Sequence, residues 1–172
     1  MPQFSDERIL LHEVQNHAEF KQRLTRLKLS SDLATYDAAV AEITIKWLKL
    51  AHQHKSELEK LDAGHAPRAT YSRAYYAAYN ASKAVRYQSK GIVSLKGDDH
   101  QKVAHLPDSF PNVDSWTRSL TSMYEHRLRA DYDNWTNTAV ENTLKPEDCA
   151  DLARTFVDAC TEFLRVEYGI EI

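Results

Sequence analysis

Arg127 and Asp131 are the residues of this sequence whose types and spacing most invite chemistry. They stand four apart in a segment where Val113, Trp116, Leu120, Met123 and Tyr124 cluster within about 100° of a helical wheel, and both fall inside that apolar arc. A charge on an apolar face must be paired or must line a cleft, because burying it alone is strongly unfavourable. The i,i+4 spacing lets the two pair with each other. Two readings stand side by side: a structural ion pair closing the helix, and a pocket in which the planar Arg127 fork holds an anion.

A second strip lies on an earlier segment, where Tyr71, Tyr75 and Tyr79 continue along one helical face into Lys83, Arg86 and Lys90. Aromatic rings stack on bases and cations meet phosphates, the two ingredients of single-strand binding. The alternative is packing: tyrosines on an alanine-rich helix are often part-buried, with cations beyond them on a solvated face.

The other titratable residues point to less. His52 and His54 lie on different helical faces, and His100 and His105 lack the carboxylate neighbours of a metal site, so no metal and no cofactor are expected. His17 and His54 fall within apolar stripes and read as core or boundary residues. Cys149 and Cys160 are about 16 Å apart if they share a helix, too far to bond to each other, and neither has a strongly electropositive setting. No glycine-rich phosphate loop is present, which excludes a P-loop nucleotidase.

These residues need a scaffold, and the composition points to helices. The 172 residues suit one domain spanning 1–172, and 42% hydrophobic with 27% charged residues is ordinary for a globular chain. Four Gly and five Pro are too few for a protein of many short strands. The formal charge of −3 gives no global attraction to nucleic acid, so any such contact must come from a local cluster of cations. The N-terminal segment lacks the basic and apolar regions of a signal peptide and no stretch has the length of a membrane span, so a cytoplasmic protein without a membrane partner is expected. The sequons at Asn80 and Asn134 are then incidental.

The spacing predicts five or six helices in an antiparallel all-α bundle. A first runs over about 5–29 from a Ser5 cap, with Ser30, Ser31 and Asp32 ending it. The second carries Tyr36, Val40, Ile43, Trp47, Leu50, His54, Leu58 and Leu61, with Gly64 as its cap and Pro67 opening the next helix after a short turn. The third covers about 68–90 and ends at Gly91; its strip of Ala74, Ala78, Ala81 and Val85 is expected to meet the second helix. Residues 92–112 read as an irregular connection with at most a short helix near His100 to His105. A fourth helix follows an Asn112 cap to about Asp133, and a fifth runs from Pro146 to about Tyr168 with Leu152, Phe156 and Phe163 inward.

Two of these segments resemble the HEPN family. Tyr71-Ser72-Arg73-Ala74-Tyr75-Tyr76-Ala77-Ala78-Tyr79-Asn80 is similar to its Ser-Arg-Ala-Tyr-Tyr-Ala-x-aromatic helix. Arg127-Leu128-Arg129-Ala130-Asp131-Tyr132-Asp133 resembles the Arg-x-x-Ala-Asp-Tyr-Asp signature of one branch, and the 97–103 segment resembles the family's intervening connection. The resemblance covers about 35–167 and leaves the N-terminal helix as an addition.

It implies an RNA- or nucleotide-associated bundle from a prokaryotic defence, toxin–antitoxin or RNA-processing setting, homodimeric or paired with a nucleotidyltransferase-like partner. The family's nucleases place a His shortly after an Arg that holds the scissile phosphate, and need no metal. Here Tyr132 follows Arg127 and no His comes after it. A phenol, with a pKa of about 10 in water, is a poor general base at neutral pH. The resemblance therefore implies a binding module with a degenerate ribonuclease site, using Arg127, Asp131 and Tyr132 together with Tyr75, Tyr79, Lys83 and Arg86. The alternatives are an active metal-independent endoribonuclease toxin with Arg127 and Tyr132 as catalytic candidates, and an interaction subunit of a nucleotidyltransferase-like protein.

Overall fold

The structure, a computed structural model, describes residues 10–11, 14, 16–91, 93, 97–132 and 144–172. Among them are five α-helices and no strand: α1 (His17–Arg26), α2 (Leu33–Leu58), α3 (Pro67–Lys90), α4 (Val113–Tyr132) and α5 (Pro146–Tyr168). Short 3-10 turns at Ser30–Asp32 and Gly97–Lys102 interrupt the connections. None of the described helices is long and apolar enough to cross a membrane.

Local chemistry sets most of the boundaries. The stretch expected as one helix over 5–29 starts α1 only at His17, because the Asn16 side chain accepts the Glu19 N–H at 3.1 Å and caps a new helix there. Ser5 lies outside the described residues. α2 ends at Leu58 rather than running on to Gly64: the Asp62 carboxylate accepts the N–H groups of Gly64 and His65 at 2.9 and 3.1 Å and folds the turn itself. Pro67 opens α3, and Gly91 closes it at φ 78°, a left-handed conformation that costs glycine little. A Cβ at Gly91 would also meet the His17 ring at 3.0 Å.

α3 is the axial helix, packed against α1, α2, α4 and α5. It runs antiparallel to α2, since Arg73 pairs with Glu57 at 2.7 Å while Gln88 accepts from Thr44 at 2.9 Å. It is also antiparallel to α4, with Arg68 bonded to the Ala130 carbonyl and Arg127 to the Tyr76 hydroxyl. The strip of Ala74, Ala78, Ala81 and Val85 is fully buried, with its centre turned away from the centre of the face that meets α2. Contacts to α2 leave from Arg73, Lys83, Tyr87 and Gln88, and the strip is centred roughly 125° further round the wheel, toward the side where Ser89 meets Tyr168 of α5. Small residues there let α5 come close.

The main core joins α3, α4, α5 and the C-terminal half of α2, including Phe110, Leu120, Met123 and Phe156. A second cluster of Leu10, Val14, Leu24, Tyr36, Val40, Ile43 and Tyr87 seats the N-terminal segment and α1 on the other end of α2. Cys149 and Cys160 are free and buried among these apolar neighbours, which pushes the Cys149 thiol up to about 12.

Candidate functional site

α4 carries Arg127 on its buried face, one turn before the last turn of the helix. Its residue exposure is only 8%, and aromatic rings supply the cover: the guanidinium carbon lies 5.3 Å from the Tyr76 centroid, 5.4 Å from Tyr132 and 5.9 Å from Tyr75. Nη2 donates to the Tyr76 hydroxyl at 2.7 Å, and Nε is 2.8 Å from Asp131 Oδ2. Burial alone would depress the guanidinium pKa; the Tyr76 oxygen and the Asp131 carboxylate outweigh it and shift it upward. The Asp131 contact is an ion pair by distance alone, since the buried Nε has no hydrogen-bond partner among the described residues.

The ends of this cluster differ in access. The Asp131 side chain keeps 26% of its exposure and Tyr132 is 71% exposed, so the cluster opens to solvent along the α4 terminus. Its inner wall is built by α3 and the Gly97–Lys102 turn. His100 stacks on Tyr79 at 4.3 Å between centroids and also touches Tyr75 and Tyr76, at 5.7 and 5.9 Å. Tyr124 closes the rim 5.7 Å from Tyr75. Arg127 and His100 therefore share two rings as neighbours. Burial first, then the Arg127 charge, lowers the His100 pKa, which keeps the imidazole neutral at pH 7.

The hydrogen bonds of His100 accommodate the tautomer protonated at Nδ1. The Tyr75 hydroxyl lies 3.3 Å from the His100 carbonyl and 3.0 Å from its Nδ1. A single hydroxyl proton serves both only if it goes to the carbonyl while Nδ1–H donates back to the phenol oxygen. Nε2 is then left as an acceptor.

Tyr75, Tyr79, Lys83 and Arg86, expected either to stack on bases or to pack, are placed inside. Arg86, 3% exposed, sets its fork on the buried Asp99 at 3.2 and 3.0 Å, and its Nε donates to Ser82 Oγ at 3.2 Å. Tyr79 donates to Asp99 at 2.8 Å, and Lys83 lies 3.9 Å from the same carboxylate and 4.9 Å from the Trp47 centroid. Burial lowers the Lys83 pKa and, with the Asp99 hydrogen bond, raises that of Tyr79. This arrangement ties the Gly97–Lys102 turn to α3, and it gives no flat ring face to solvent for a base.

His126, adjacent to Arg127, points elsewhere as the wheel requires. Its Nδ1 donates to the Ser122 carbonyl at 2.8 Å, Nε2 accepts the Leu144 N–H at 3.4 Å, and the ring stacks on Tyr71, whose hydroxyl donates to Leu144 O at 2.6 Å. That group anchors the approach to α5. His54 bonds with Glu57 and Arg73, and His52 with Thr161. Among the described residues no group of three or more His, Cys, Asp or Glu could hold a metal ion.

Three members of the site escape a reading of the sequence. Tyr76 is one position off the tyrosine strip, and its role depends on where α4 crosses. His100 comes from an irregular turn. Asp99 leaves a faint signal, since a helix as apolar as α3 can bury Arg86 only against a carboxylate. No family model, curated protein or solved structure matches the chain.

Proposed function

We propose that the protein is an RNA- or nucleotide-associated binding module of the HEPN type, which holds a phosphate at Arg127 and cleaves RNA slowly or not at all. The observation that carries this reading is the state of Arg127: a covered guanidinium held by Tyr76 and paired with Asp131, its Nε without a hydrogen-bond partner among the described residues, beside an exposed tyrosine ring. Such a fork suits phosphate oxygens, and Tyr132 adds a face on which a base can stack. Asp131 holds the fork and repels a second anion, which limits the site to one phosphate. The setting, a cytoplasmic prokaryotic defence, toxin–antitoxin or RNA-processing system, rests on the sequence resemblance, as does a homodimer bringing two copies of Arg127 to one groove.

One observation favours the endoribonuclease alternative: His100 and Arg127 neighbour the same Tyr76 ring, which brings an imidazole near the guanidinium although no His follows Arg127 in the sequence. In that reading His100 Nε2 takes the ribose 2′-hydroxyl proton, the 2′-oxygen bonds to phosphorus, the P–O5′ bond breaks and water protonates the leaving oxygen. The experiment is incubation of labelled single-stranded RNA with the protein in EDTA. Binding without cleavage supports the module. Cleavage lost in His100→Ala establishes the alternative, and the absence of any RNA binding leaves Arg127 and Asp131 as a structural pair.

A further inference from the structure

A cavity of about 270 Å³ lies at the other end of α3, lined by Arg86, Lys90, Lys102, His105 and Leu106. In a chain of formal charge −3, basic residues line all of it except the Leu106 wall. The wall is built rather than gathered by chance from a solvated face. Arg86 is fixed by its two bonds to Asp99 and one to Ser82, whose hydroxyl in turn donates to Val103 O at 2.6 Å. Those bonds use Nε and one N–H on each terminal nitrogen, so each Nη keeps a second donor. Lys102 touches Asp98 at 3.6 Å, a long contact that an anion can replace, and Lys90 stands exposed on the last turn of α3. The carboxylates at hand, Asp98 and Asp99, leave the three permanent cations in excess.

We propose that this cavity is a second anion site, taking a phosphoryl group either as inorganic phosphate or as the monoester of a nucleoside 5′-monophosphate. Arg86 acts as the fixed donor, Lys90 and Lys102 close on the remaining oxygens, and Leu106 covers the apolar edge. The site does not involve Arg127.

The test is an amide NMR titration of the full chain with sodium phosphate, adenosine 5′-monophosphate, adenosine, and sodium chloride at matched ionic strength. Saturable shifts at Lys90 and across residues 102–106, with a Kd of about millimolar, are expected for the two phosphoryl compounds alone. Lys102→Gln weakens them roughly tenfold, the loss of one charge-assisted bond, and Arg127→Lys leaves them unchanged. Tighter binding of the nucleotide than of phosphate identifies the ester as the ligand; equal binding means that only the phosphoryl group is read. Shifts absent, reproduced by chloride or adenosine, or unaltered in Lys102→Gln overturn the proposal.

Discussion

The Tyr76 hydroxyl accepts from Arg127 Nη2 at 2.7 Å, a bond between two helices from residues 51 apart in sequence. It fixes the rotation of α4 on α3 at the point where the candidate site opens. Tyr76→Phe removes the acceptor and keeps the ring, so a stability loss of about 1–2 kcal/mol is expected in a denaturant melt. If Tyr76 orients the Arg127 fork, RNA affinity falls with it. An unchanged melt would show that the bond contributes nothing net.

The pair of Arg86 and Asp99 is far more buried than that of Arg127 and Asp131. Asp99→Ala strands a guanidinium at 3% exposure, also removes the acceptor of Tyr79, and should cost roughly 3–5 kcal/mol. Arg127→Ala should cost less, roughly 1–2 kcal/mol, because Asp131 remains wet enough for water to replace its partner. Equal losses for the two substitutions in chemical denaturation would contradict this ranking.

His17 gives the fold a pH dependence. Its Nε2 donates to the Tyr87 carbonyl at 2.7 Å, and its Nδ1 lies 2.5 Å from the Tyr36 hydroxyl, from which the neutral ring accepts. Burial lowers its pKa below the ordinary 6.5, with Lys21 adding to the shift and the Tyr87 carbonyl and Asp37 opposing it. The unfolded chain then binds more protons in mild acid, so the His17 contribution is full above about pH 6.5 and declines as pH falls below it. Comparing melts of the natural protein and His17→Gln at pH 8 and pH 5 should show the difference between them shrinking in acid. A difference that grows would mean that the ring is charged in the fold.

The buried alanine strip predicts overpacking. Ala78→Phe places a ring where α5 packs and should cost at least about 1–3 kcal/mol. The readout is a thermal melt, and a midpoint equal to that of the natural protein would put the strip in solvent.

The periodic parts of the chain were legible because helix spacing and punctuation agree: Pro67 and Pro146 open helices, Gly91 ends one, and the apolar stripe of α4 lies inward. The relation of Arg127 to Asp131 was legible as well, since both lie on one helix. The facing of the alanine strip was not, because a stripe shows that a helix has a partner without saying which. Asn16 divided the N-terminal helix through a single side-chain bond, which apolar periodicity across positions 10–27 hides. His100 and Tyr76 enter the site through the crossing of α3, α4 and an irregular turn, which local sequence does not encode.

The central claim is that Arg127 binds phosphate through its fork. It is tested most directly by the equilibrium affinity of Arg127→Lys for single-stranded RNA in EDTA, beside that of the natural protein. Lys keeps the charge but loses the planar pair of donors, so affinity should fall roughly tenfold while the melt moves little. RNA binding unchanged in Arg127→Lys and in Arg127→Ala would contradict the account and leave Arg127 with the structural task of closing α4.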